Sequence, residues 1–459
     1  MRFSELEGAR VGVWGAGREI VSFARQLACR LPSARIVAAA FDAPPEQDAR
    51  ALLGAPEASI VTGAEVVPAL RACDVVVRSP GVSVYKPQMR ALRDAGVPVT
   101  TATSLWLAEH GGEGVIGVTG TKGKSTTAAL AAHLARAAGR TVQLAGNIGV
   151  PALDLLDEPD AQLTVLELSS YHIADLRSGP QVALVTSLFR EHTDWHGSED
   201  AYRADKLRLL TLPEVRTAVI NARDAGLAEA LGGSGPRAGG DALVGAPRTV
   251  RYGVREGWDV LAEGVALEGE IVVRTDELAL RGEHNALNLC GALAALRELG
   301  VVPELPAALR GFQPLSHRLQ PVAERDGVLW VDDSISTTPE STLAALASFP
   351  GREIVLIAGG QDRGQDYARL AAALARGGST LIGVPTTGER IVSAALDAGV
   401  REPRALRAAD LREAVALAGS LAGAGGVVLL SPAAPSFDRY RDFEQRGERF
   451  RALVTGTAG

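Results

Sequence analysis

Short apolar runs alternate with amphipathic segments along most of the chain. Runs that are rich in Val and Ile and end at Gly or Pro predict strands buried in a parallel sheet. The segments between them carry apolar residues at helical spacing, and this alternation indicates α/β domains. In the first hundred residues, the predicted strands are 11–17, 35–42 and 74–81, and the predicted helix is 19–31.

The same alternation continues through the rest of the 459 residues, which are too many for a single core. We therefore expect three α/β domains, at 1–105, 106–314 and 315–459. The segment 232–269 is rich in Gly, Ala and Pro and predicts loops and short strands. Further strands are predicted at 113–120, 162–170, 181–189, 217–222, 328–334, 353–360, 380–384 and 426–433, and a helix at 284–300.

The amino-acid composition limits the classes of function that the protein can have. The chain is 46% hydrophobic and 22% charged, as in ordinary globular proteins, and its net charge of −7 argues against a nucleic-acid-binding surface. No apolar run is long enough for a membrane span, and the first ten residues lack a signal-peptide core. We therefore expect a cytoplasmic protein without membrane contact. The three cysteines, Cys29, Cys73 and Cys290, are predicted to be buried structural thiols.

A glycine turn follows the first predicted strand. Gly15 and Gly17 fit the first two positions of a dinucleotide-binding G-x-G-x-x-G, but Ile20 occupies the third. Close packing of helix on strand usually requires a small residue there. The turn therefore argues against an NAD site and leaves open another nucleotide on a similar sheet.

The stretch GVTGTKGKST, residues 117–126 and here called the phosphate loop, lies between a predicted strand and a predicted helix. It departs by one residue from G-x-x-x-x-G-K-[ST], because Val118 stands where that pattern has glycine. Its pattern is instead G-x-x-G-T-x-G-K-S. Glycines allow backbone N–H groups to close around phosphate oxygens at a helix N-terminus. Lys124 would neutralise the β- and γ-phosphates, and Ser125 would place its hydroxyl on Mg²⁺.

Two other polar groups follow apolar strands. Glu167 lies near the end of TVLELSS, where burial of a carboxylate is costly unless it is paired or metal-bound. The segment REHTDWHGSEDAYRADK then gathers His192, Asp194, His196 and Lys206. A solvated polar loop and an ordinary surface lysine are the alternatives at these positions.

Several motifs together resemble the Mur ligase family. They are the phosphate loop, GNIG at 146–149, LELSS at 166–170, H-x-D at 192–194, HNALN at 284–288, HR at 317–318, DDS at 332–334 and SFDRYRDFEQRG at 436–447. They cover essentially the whole chain in order. The resemblance implies the family's α/β architecture of three domains, in which a Rossmann-like UDP-binding domain, a central P-loop ATPase domain and a C-terminal Rossmann-like domain follow one another.

Within the family, the ending and the glycine turn are most similar to members that add glutamate to UDP-N-acetylmuramoyl-L-alanine in peptidoglycan synthesis. The resemblance implies that ATP phosphorylates the substrate carboxylate and that the amine of glutamate attacks the resulting acyl phosphate. It also implies two Mg²⁺ ions and a carbamylated Lys206. A carbamate would supply anionic oxygens where a cationic lysine would repel Mg²⁺.

The resemblance also implies roles for individual residues. The expected catalytic residues are Lys124, Glu167, His192 and Lys206, and the expected metal ligands are Ser125, Glu167, His192 and Lys206. The expected nucleotide-binding residues are Gly120, Thr121, Lys122, Gly123, Lys124, Ser125, Thr126, Asn285, Asn288, Arg318 and Asp333. The expected substrate-binding residues are Arg18, Asp42, Ser79 and Gly81 for the UDP moiety, Asn147, Ser169 and Ser170 for the sugar peptide, and Thr337, Arg363, Ser436 and Phe443 for glutamate. For Asp42, an ordinary turn residue at the end of a strand is the alternative.

The sequence departs from the D-glutamate pattern around the incoming amino acid. Ile335 replaces the lysine of D-S-K-A-T-N, Arg363 replaces the lysine of G-G-x-x-K, and Phe437 replaces a usual leucine. An arginine can still bind a carboxylate, but with different reach and geometry. DDSISTTPEST and WGAGRE resemble a subgroup that adds L-glutamate, whose product a separate epimerase inverts. We expect L-glutamate, with D-glutamate as the alternative.

Other functions remain open from the sequence alone. A folylpolyglutamate synthetase or a different Mur step would use the same scaffold, although the folate enzyme generally lacks such a first domain. A nucleotide switch without catalysis is a second alternative, against which the intact Lys124, Glu167, His192 and Lys206 argue. We expect a monomer that binds ATP, UDP-N-acetylmuramoyl-L-alanine and glutamate but no nucleic acid.

Overall fold

The computed structural model describes residues 1–45, 48–148, 150–232, 247–278, 280, 282–313, 316–362 and 365–456, without the side chains at 194 and 340. The chain divides into two compact units, Met1–Phe312 and Gln313–Gly459. The boundary expected at 314/315 lies outside the described residues. The boundary expected at 105/106 falls within a helix, and the division of the first unit remains a prediction.

The first unit begins with a five-stranded parallel sheet in the order β3-β2-β1-β4-β5. Its first helix buries Ile20, Phe23 and Leu27, which share one face at helical spacing. The strands are β1 Arg10–Trp14, β2 Arg35–Phe41, β3 Ser59–Thr62, β4 Val75–Arg78 and β5 Val99–Thr100, and the helices are α1 Arg18–Arg30, α2 Ala49–Leu53, α3 Val66–Arg71, α4 Pro87–Asp94 and α5 Ala102–His110.

A second, six-stranded parallel sheet in the order β11-β10-β9-β6-β8-β7 forms the rest of this unit with a small antiparallel sheet. The long helices α6 and α11 pack against each other. The strands are β6 Val115–Thr119, β7 Val142–Gly146, β8 Leu163–Glu167, β9 Val182–Val185, β10 Thr217–Asn221, β11 Arg248–Tyr252, and antiparallel β12 Trp258–Leu261, β13 Gly264–Leu267 and β14 Glu270–Arg274. The helices are α6 Lys124–Ala137, α7 Ser170–Ile173, α8 Thr193–His196, α9 Glu199–Leu207, α10 Ala225–Ala230 and α11 Glu283–Glu298.

The second unit is built on a six-stranded sheet in the order β15-β16-β20-β17-β18-β19, in which only the edge strand β15 is antiparallel to its neighbour. Apolar cores cover both faces of this sheet. The strands are β15 Gln320–Arg325, β16 Val328–Asp332, β17 Ile354–Ala358, β18 Thr380–Gly383, β19 Ala405–Arg407 and β20 Val427–Leu430, and the helices are α12 Pro339–Ala347, α13 Ala368–Gly377, α14 Gly388–Asp397, α15 Leu411–Leu421 and α16 Phe443–Thr455.

The strands predicted from apolar runs are confirmed, each within a few residues of its expected bounds. The prediction of buried thiols was wrong for Cys29, which is exposed near the end of α1, whereas Cys73 and Cys290 are buried. Among the residues that the structure describes, no helix combines the length and apolarity needed to cross a membrane.

Candidate active site

The phosphate loop joins the end of β6 to the start of α6, as its sequence predicts. Gly120 and Gly123 both have positive φ, +147° and +86°. A Cβ on Gly120 would collide with the Thr186 hydroxyl, and a Cβ on Gly123 would collide with the side-chain oxygen of Asn288. Both positions therefore require glycine, because φ is positive and because a Cβ would have no room.

Lys124 folds back over this loop. Its Nζ donates to the carbonyl oxygens of Gly120 and Thr121 at 2.9 and 3.0 Å. Ser125 and Thr126 follow it in the first turn of the 14-residue helix α6 and are both buried. A cation, backbone N–H groups and a helix N-terminus thus meet at one point, which is an arrangement suited to phosphate.

Lys122 is held from both ends. Its backbone N–H donates to the Ser187 hydroxyl at 2.9 Å, and its Nζ pairs with Glu191 at 2.9 Å. The hydroxyl of Thr121 lies 2.8 Å from the phenol of Tyr202. These side chains come from the ends of neighbouring strands and from α9, so they fix the shape of the loop.

Glu167 ends β8 beside the phosphate loop and is fully buried. Its Oε1 accepts a hydrogen bond from Asn147 Nδ2 at 2.8 Å. Its Oε2 is also buried and has no hydrogen-bond partner among the described residues. A buried carboxylate oxygen without a partner is costly, so this atom fits a site for a cation.

Lys206 approaches the phosphate loop from α9. Its Nζ donates to the carbonyl of Gly120 at 2.9 Å and lies 4.9 Å from the centre of the Tyr202 ring. The side chain is 2% exposed, and burial followed by the nearby Lys124 lowers the pKa of Lys206 well below its ordinary value. Two lysine nitrogens thus converge on one carbonyl, an arrangement that disfavours a charge on both.

His192 directly precedes the short helix α8 as its N-cap residue, with a φ of +54°. Its Nε2 lies 3.4 Å from Glu191, whose other oxygen pairs with Lys122. Desolvation and the positive charges of Lys124, Lys206 and Lys122, which outweigh the opposing Glu191, lower the pKa of His192 to about 4. The neutral imidazole, the form that binds metals, therefore predominates at neutral pH. Sequence reasoning missed Glu191.

Ser169 follows Glu167 by two residues and caps α7. Its hydroxyl lies 2.6 Å from His172 Nδ1, and the other nitrogen of that ring lies 2.7 Å from Glu19. Burial opposes ionisation of Glu19, but His172 and Thr103 hold its pKa below the ordinary value. Sequence reasoning singled out the serine and missed both partners.

Ser170 has a parallel arrangement. Its hydroxyl lies 2.9 Å from His196 Nε2, and His196 Nδ1 lies 2.7 Å from Asp205. The phenol of Tyr85 donates to the same Asp205 oxygen at 2.8 Å. His196, which the sequence singled out, is therefore held by two hydrogen-bond partners. No motif in the sequence pointed to Asp205 or Tyr85.

The glycine turn brings the candidate UDP residues to the carboxyl ends of β1, β2 and β4. Gly17 caps α1, Arg18 is its first residue, and a Cβ at Gly17 would lie 3.2 Å from the Ser79 hydroxyl. The carbonyl of Gly81 accepts from Trp195 Nε1 at 3.0 Å. Asp42 pairs with Lys86 at 2.9 Å. Arg18, Ser79 and Gly81 thus gather at one end of the sheet.

The candidate adenine-side residues of this unit lie on α11. Asn288 contacts the phosphate loop at Gly123, and its Nδ2 lies 3.4 Å from the Asn285 oxygen. Asn288 therefore adjoins the phosphate loop and Asn285 adjoins Asn288, and their role on the nucleotide side stays a prediction.

The remaining candidates belong to the second unit. Asp333 accepts from the Ser431 hydroxyl at 2.7 Å and from the backbone of Leu319 at 3.2 Å, and burial raises the pKa of Asp333 to about 6. Ser436 is 1% exposed. Thr337 and Phe443 are half-buried, Arg318 follows His317, and Arg363 lies outside the described residues, as does Gly149 of GNIG.

Comparison with known proteins identifies the family. The family model described as the Mur ligase middle domain matches residues 118–296, and that described as the Mur ligase, glutamate ligase domain matches residues 317–434. Together they cover more than half of the chain. The chain belongs to the Mur ligase family. The resemblance and the fold class inferred from the motifs are thereby confirmed.

Individual Mur ligases match over nearly the full length. A protein named UDP-N-acetylmuramoyl-L-alanine–L-glutamate ligase from Micromonospora is 43% identical, covering 100% of this chain and 99% of its own. One of the same name from Xylella fastidiosa is 44% identical, covering 99% and 97%. A MurF ligase from Thermotoga maritima solved with ADP is 18% identical, covers 100% and 97%, and has a TM-score of 0.57, a likeness of fold.

Proposed function

We propose that this Mur ligase uses ATP to join L-glutamate to UDP-N-acetylmuramoyl-L-alanine, a step of peptidoglycan synthesis. The observation that carries the proposal is the full-length match, at 43% identity, to a ligase with that name. The geometry supports it, because the phosphate loop, the buried Glu167 and the buried Lys206 converge as activation of a carboxylate by ATP requires.

In the proposed reaction, the triphosphate of ATP lies on the phosphate loop and Lys124 neutralises its β- and γ-phosphates. An oxygen of the alanyl carboxylate attacks the γ-phosphorus, the bond to the β-phosphate oxygen breaks, and ADP leaves. The neutral amine of glutamate then attacks the carbonyl carbon of the acyl phosphate. Inorganic phosphate leaves as the C–N bond forms, and the amine loses one proton to solvent.

Mg²⁺ fits the residues beside the phosphate loop. The described part of the chain contains no cluster of three or more His, Cys, Asp or Glu side chains suited to a metal. Mg²⁺ does not need one, because it keeps several waters and takes oxygens from phosphates. Bound here, it would offset the repulsion between ATP and the carboxylate. We propose two ions, with Ser125 and Glu167 at one and His192 and Lys206 at the other.

Carbamylation of Lys206 is part of the proposal. No carboxylate in the described ranges forms an ion pair with this buried lysine, and burial lowers its pKa well below the ordinary value, which raises the fraction of neutral amine. A neutral amine can add to CO₂ and release a proton, which yields an anionic carbamate. The product would attract Mg²⁺ and would remove the repulsion between Lys206 and Lys124.

The other assignments are proposed on the same basis. Those that lie at the carboxyl end of a strand or beside the phosphate loop occupy positions where α/β proteins bind ligands, and Arg363 is assigned from the sequence alone. For the UDP moiety they are Arg18, Asp42, Ser79 and Gly81; for the sugar peptide Asn147, Ser169 and Ser170; for ATP Gly120 to Thr126, Asn285, Asn288, Arg318 and Asp333; and for glutamate Thr337, Arg363, Ser436 and Phe443.

The stereochemistry of the glutamate substrate is the most specific part of the proposal. The relatives named for L-glutamate support it, as do the changes at Ile335 and Arg363, which leave the ATP-binding motifs intact. An epimerase that inverts the product's glutamate would then be a functional partner. Because ATP and the UDP-linked substrate are cytoplasmic metabolites, we expect the enzyme in the cytoplasm, and we expect a monomer.

The test is phosphate release by the purified chain with ATP, Mg²⁺, UDP-N-acetylmuramoyl-L-alanine and either glutamate enantiomer. We expect release that needs the nucleotide substrate and prefers L-glutamate. Preference for D-glutamate would reject the stereochemistry and leave the ligase standing. Release that is independent of the nucleotide substrate would reject the ligase.

A further inference from the structure

The hydroxyl proton of Ser169 is committed to a histidine. His172 Nδ1 lies 2.6 Å from Ser169 Oγ and also accepts the backbone N–H of Ser169 at 3.3 Å. A ring nitrogen that accepts a backbone N–H carries no proton of its own. The hydroxyl must therefore donate to Nδ1, and the proton of the neutral ring sits on Nε2.

Glu19 fixes this tautomer from another part of the fold. Its Oε1 lies 2.7 Å from His172 Nε2 and also accepts the Thr103 hydroxyl at 2.9 Å. A carboxylate can only accept, so it holds the imidazole proton on Nε2. Glu19 is the second residue of α1, directly after Arg18 of the candidate UDP site.

The Ser169 hydroxyl is left as an acceptor. One lone pair takes the backbone N–H of His172 at 3.4 Å, and the second is available because the side chain is only half-buried. Its neighbour Ser170 has the same relation to His196 and Asp205 but is 2% exposed. Of these two serines, Ser169 is therefore the one able to meet a ligand.

We propose that Ser169 accepts a hydrogen bond from the alanyl amide N–H of the nucleotide substrate, and that Glu19 and His172 are positioning residues that keep it an acceptor. This inference rests on the proposed function. The reacting carboxylate must reach the end of β8 at Glu167, two residues before Ser169. The amide nitrogen is one carbon away from that carboxylate and is the nearest hydrogen-bond donor to it.

An acceptor at this position also orients the substrate. A carboxylate offers only lone pairs, so the Ser169 oxygen repels it and favours the N–H. The carboxylate is thereby directed away from Ser169, towards the lysines of the phosphate loop. The pair formed by Glu19 and His172 thus links the first, five-stranded sheet to the orientation of the reacting carboxylate.

The kinetic test compares the natural substrate with an analogue in which an ester oxygen replaces the alanyl N–H. Wild-type enzyme should prefer the amide by roughly tenfold or more in kcat/KM. In the ester analogue, the ester oxygen and the Ser169 oxygen are both hydrogen-bond acceptors and would face each other without a proton between them. Ser169→Ala should shrink this preference to about twofold, and Glu19→Ala should reduce it as well. Glu109→Ala, which truncates an exposed glutamate bonded to Ser4, should keep the wild-type preference.

A second measurement does not depend on turnover. Long-range ¹H–¹⁵N spectra of the full wild-type chain, with the His172 signals assigned by their loss in His172→Gln, should show Nε2 protonated and Nδ1 bare. A protonated Nδ1 would overturn the inference, as would an unchanged amide preference in Ser169→Ala. If wild type shows no nucleotide-dependent phosphate release, the proposed function fails and the substrate assignment fails with it; activity with an unchanged preference rejects the inference alone.

Discussion

The side-chain amide of Asn147 donates to one oxygen of Glu167 at 2.8 Å, and the other oxygen of that carboxylate is buried without a partner in the described part of the chain. The backbone N–H of Asn147 also donates to the Glu167 carbonyl at 2.9 Å. Two contacts thus fix where the free oxygen lies. Asn147 thus orients the carboxylate, and in the proposed reaction the remaining oxygen of Glu167 would face a cation.

Glu167→Gln is expected to lower ligase activity by roughly 100-fold or more, because an amide removes the charge that would hold Mg²⁺. Asn147→Ala should cost about tenfold, since it only releases the carboxylate from its orientation. Phosphate release measured against Mg²⁺ concentration checks both. Gln143→Ala, which removes a buried amide from β7, is the matched control and should retain its Mg²⁺ dependence. Near-normal activity of Glu167→Gln would reject the metal assignment.

Lys206→Ala is expected to abolish most activity, and formate, acetate or bicarbonate should restore part of it by supplying anionic oxygens where the carbamate would lie. Arg203→Ala on the same helix removes a partly exposed ion pair with Glu199 and should need no such rescue. The measurement is phosphate release with and without the added anion. Wild-type enzyme in ¹³C-bicarbonate should also give a carbamate signal that Lys206→Ala lacks. Absence of both effects would favour an unmodified lysine.

The central strands were predictable because burial on both faces leaves a continuous apolar run. β6 and β16 are such strands, and both were found within a few residues. Two edge strands were missed: β3 is short and half-buried, and β15 begins with Gln and Pro and is about half exposed. A strand that pairs on one side only does not need an apolar sequence.

The residues of the candidate site also fall into those that the sequence indicates and those that only the fold brings together. The phosphate loop and Glu167 were found because glycines at fixed spacing, or a carboxylate in an apolar run, are local signals. The pairing of Glu19 with His172 joins positions 153 apart in sequence. Glu19 in the first turn of α1 is also explained by the helix dipole, so its sequence context conceals its role. Long-range pairing of this kind needs the fold.

Asp333 should make the second unit less stable as pH rises. Burial raises the pKa of Asp333 to about 6 from a usual 3.8, so the folded state binds more protons than the unfolded state between these values. Stability from this group is therefore full below pH 3.8 and is lost as pH rises through 6. The loss is roughly 3 kcal/mol at most, at 1.36 kcal/mol per pKa unit.

The comparison of wild type with Asp333→Asn isolates this effect from other titrating groups. Asparagine is neutral at every pH, so the variant should gain stability relative to wild type between pH 4 and pH 7. Denaturant unfolding of the full chain at a series of pH values measures the difference. Asp326→Asn, near a turn of the same unit, is the control. A constant difference between Asp333→Asn and wild type would contradict the raised pKa.

Arg446 joins three loops of the second unit. On α16 and 3% exposed, it donates to the hydroxyl and carbonyl of Ser334 at 3.0 and 2.8 Å. It also donates to the carbonyls of Ala434 and Gly359 at 3.1 and 3.4 Å. Burial lowers the pKa of Arg446 to about 10, which still leaves it charged at neutral pH. Arg446, the arginine of the DFEQRG motif, thus links the segments that follow β16, β17 and β20.

Arg446→Met should destabilise the second unit by about 3 kcal/mol or more, because it leaves several buried acceptors without a donor. Arg446→Lys should recover only part of the loss, since a single ammonium cannot reach acceptors that the planar guanidinium spans. Denaturant midpoints of the full chain measure both. Arg451→Met, an exposed position on the same helix, should stay within about 0.5 kcal/mol of wild type. Equal stability of Arg446→Met and Arg451→Met would show that these bonds contribute nothing net, and the motif would then need a functional explanation instead.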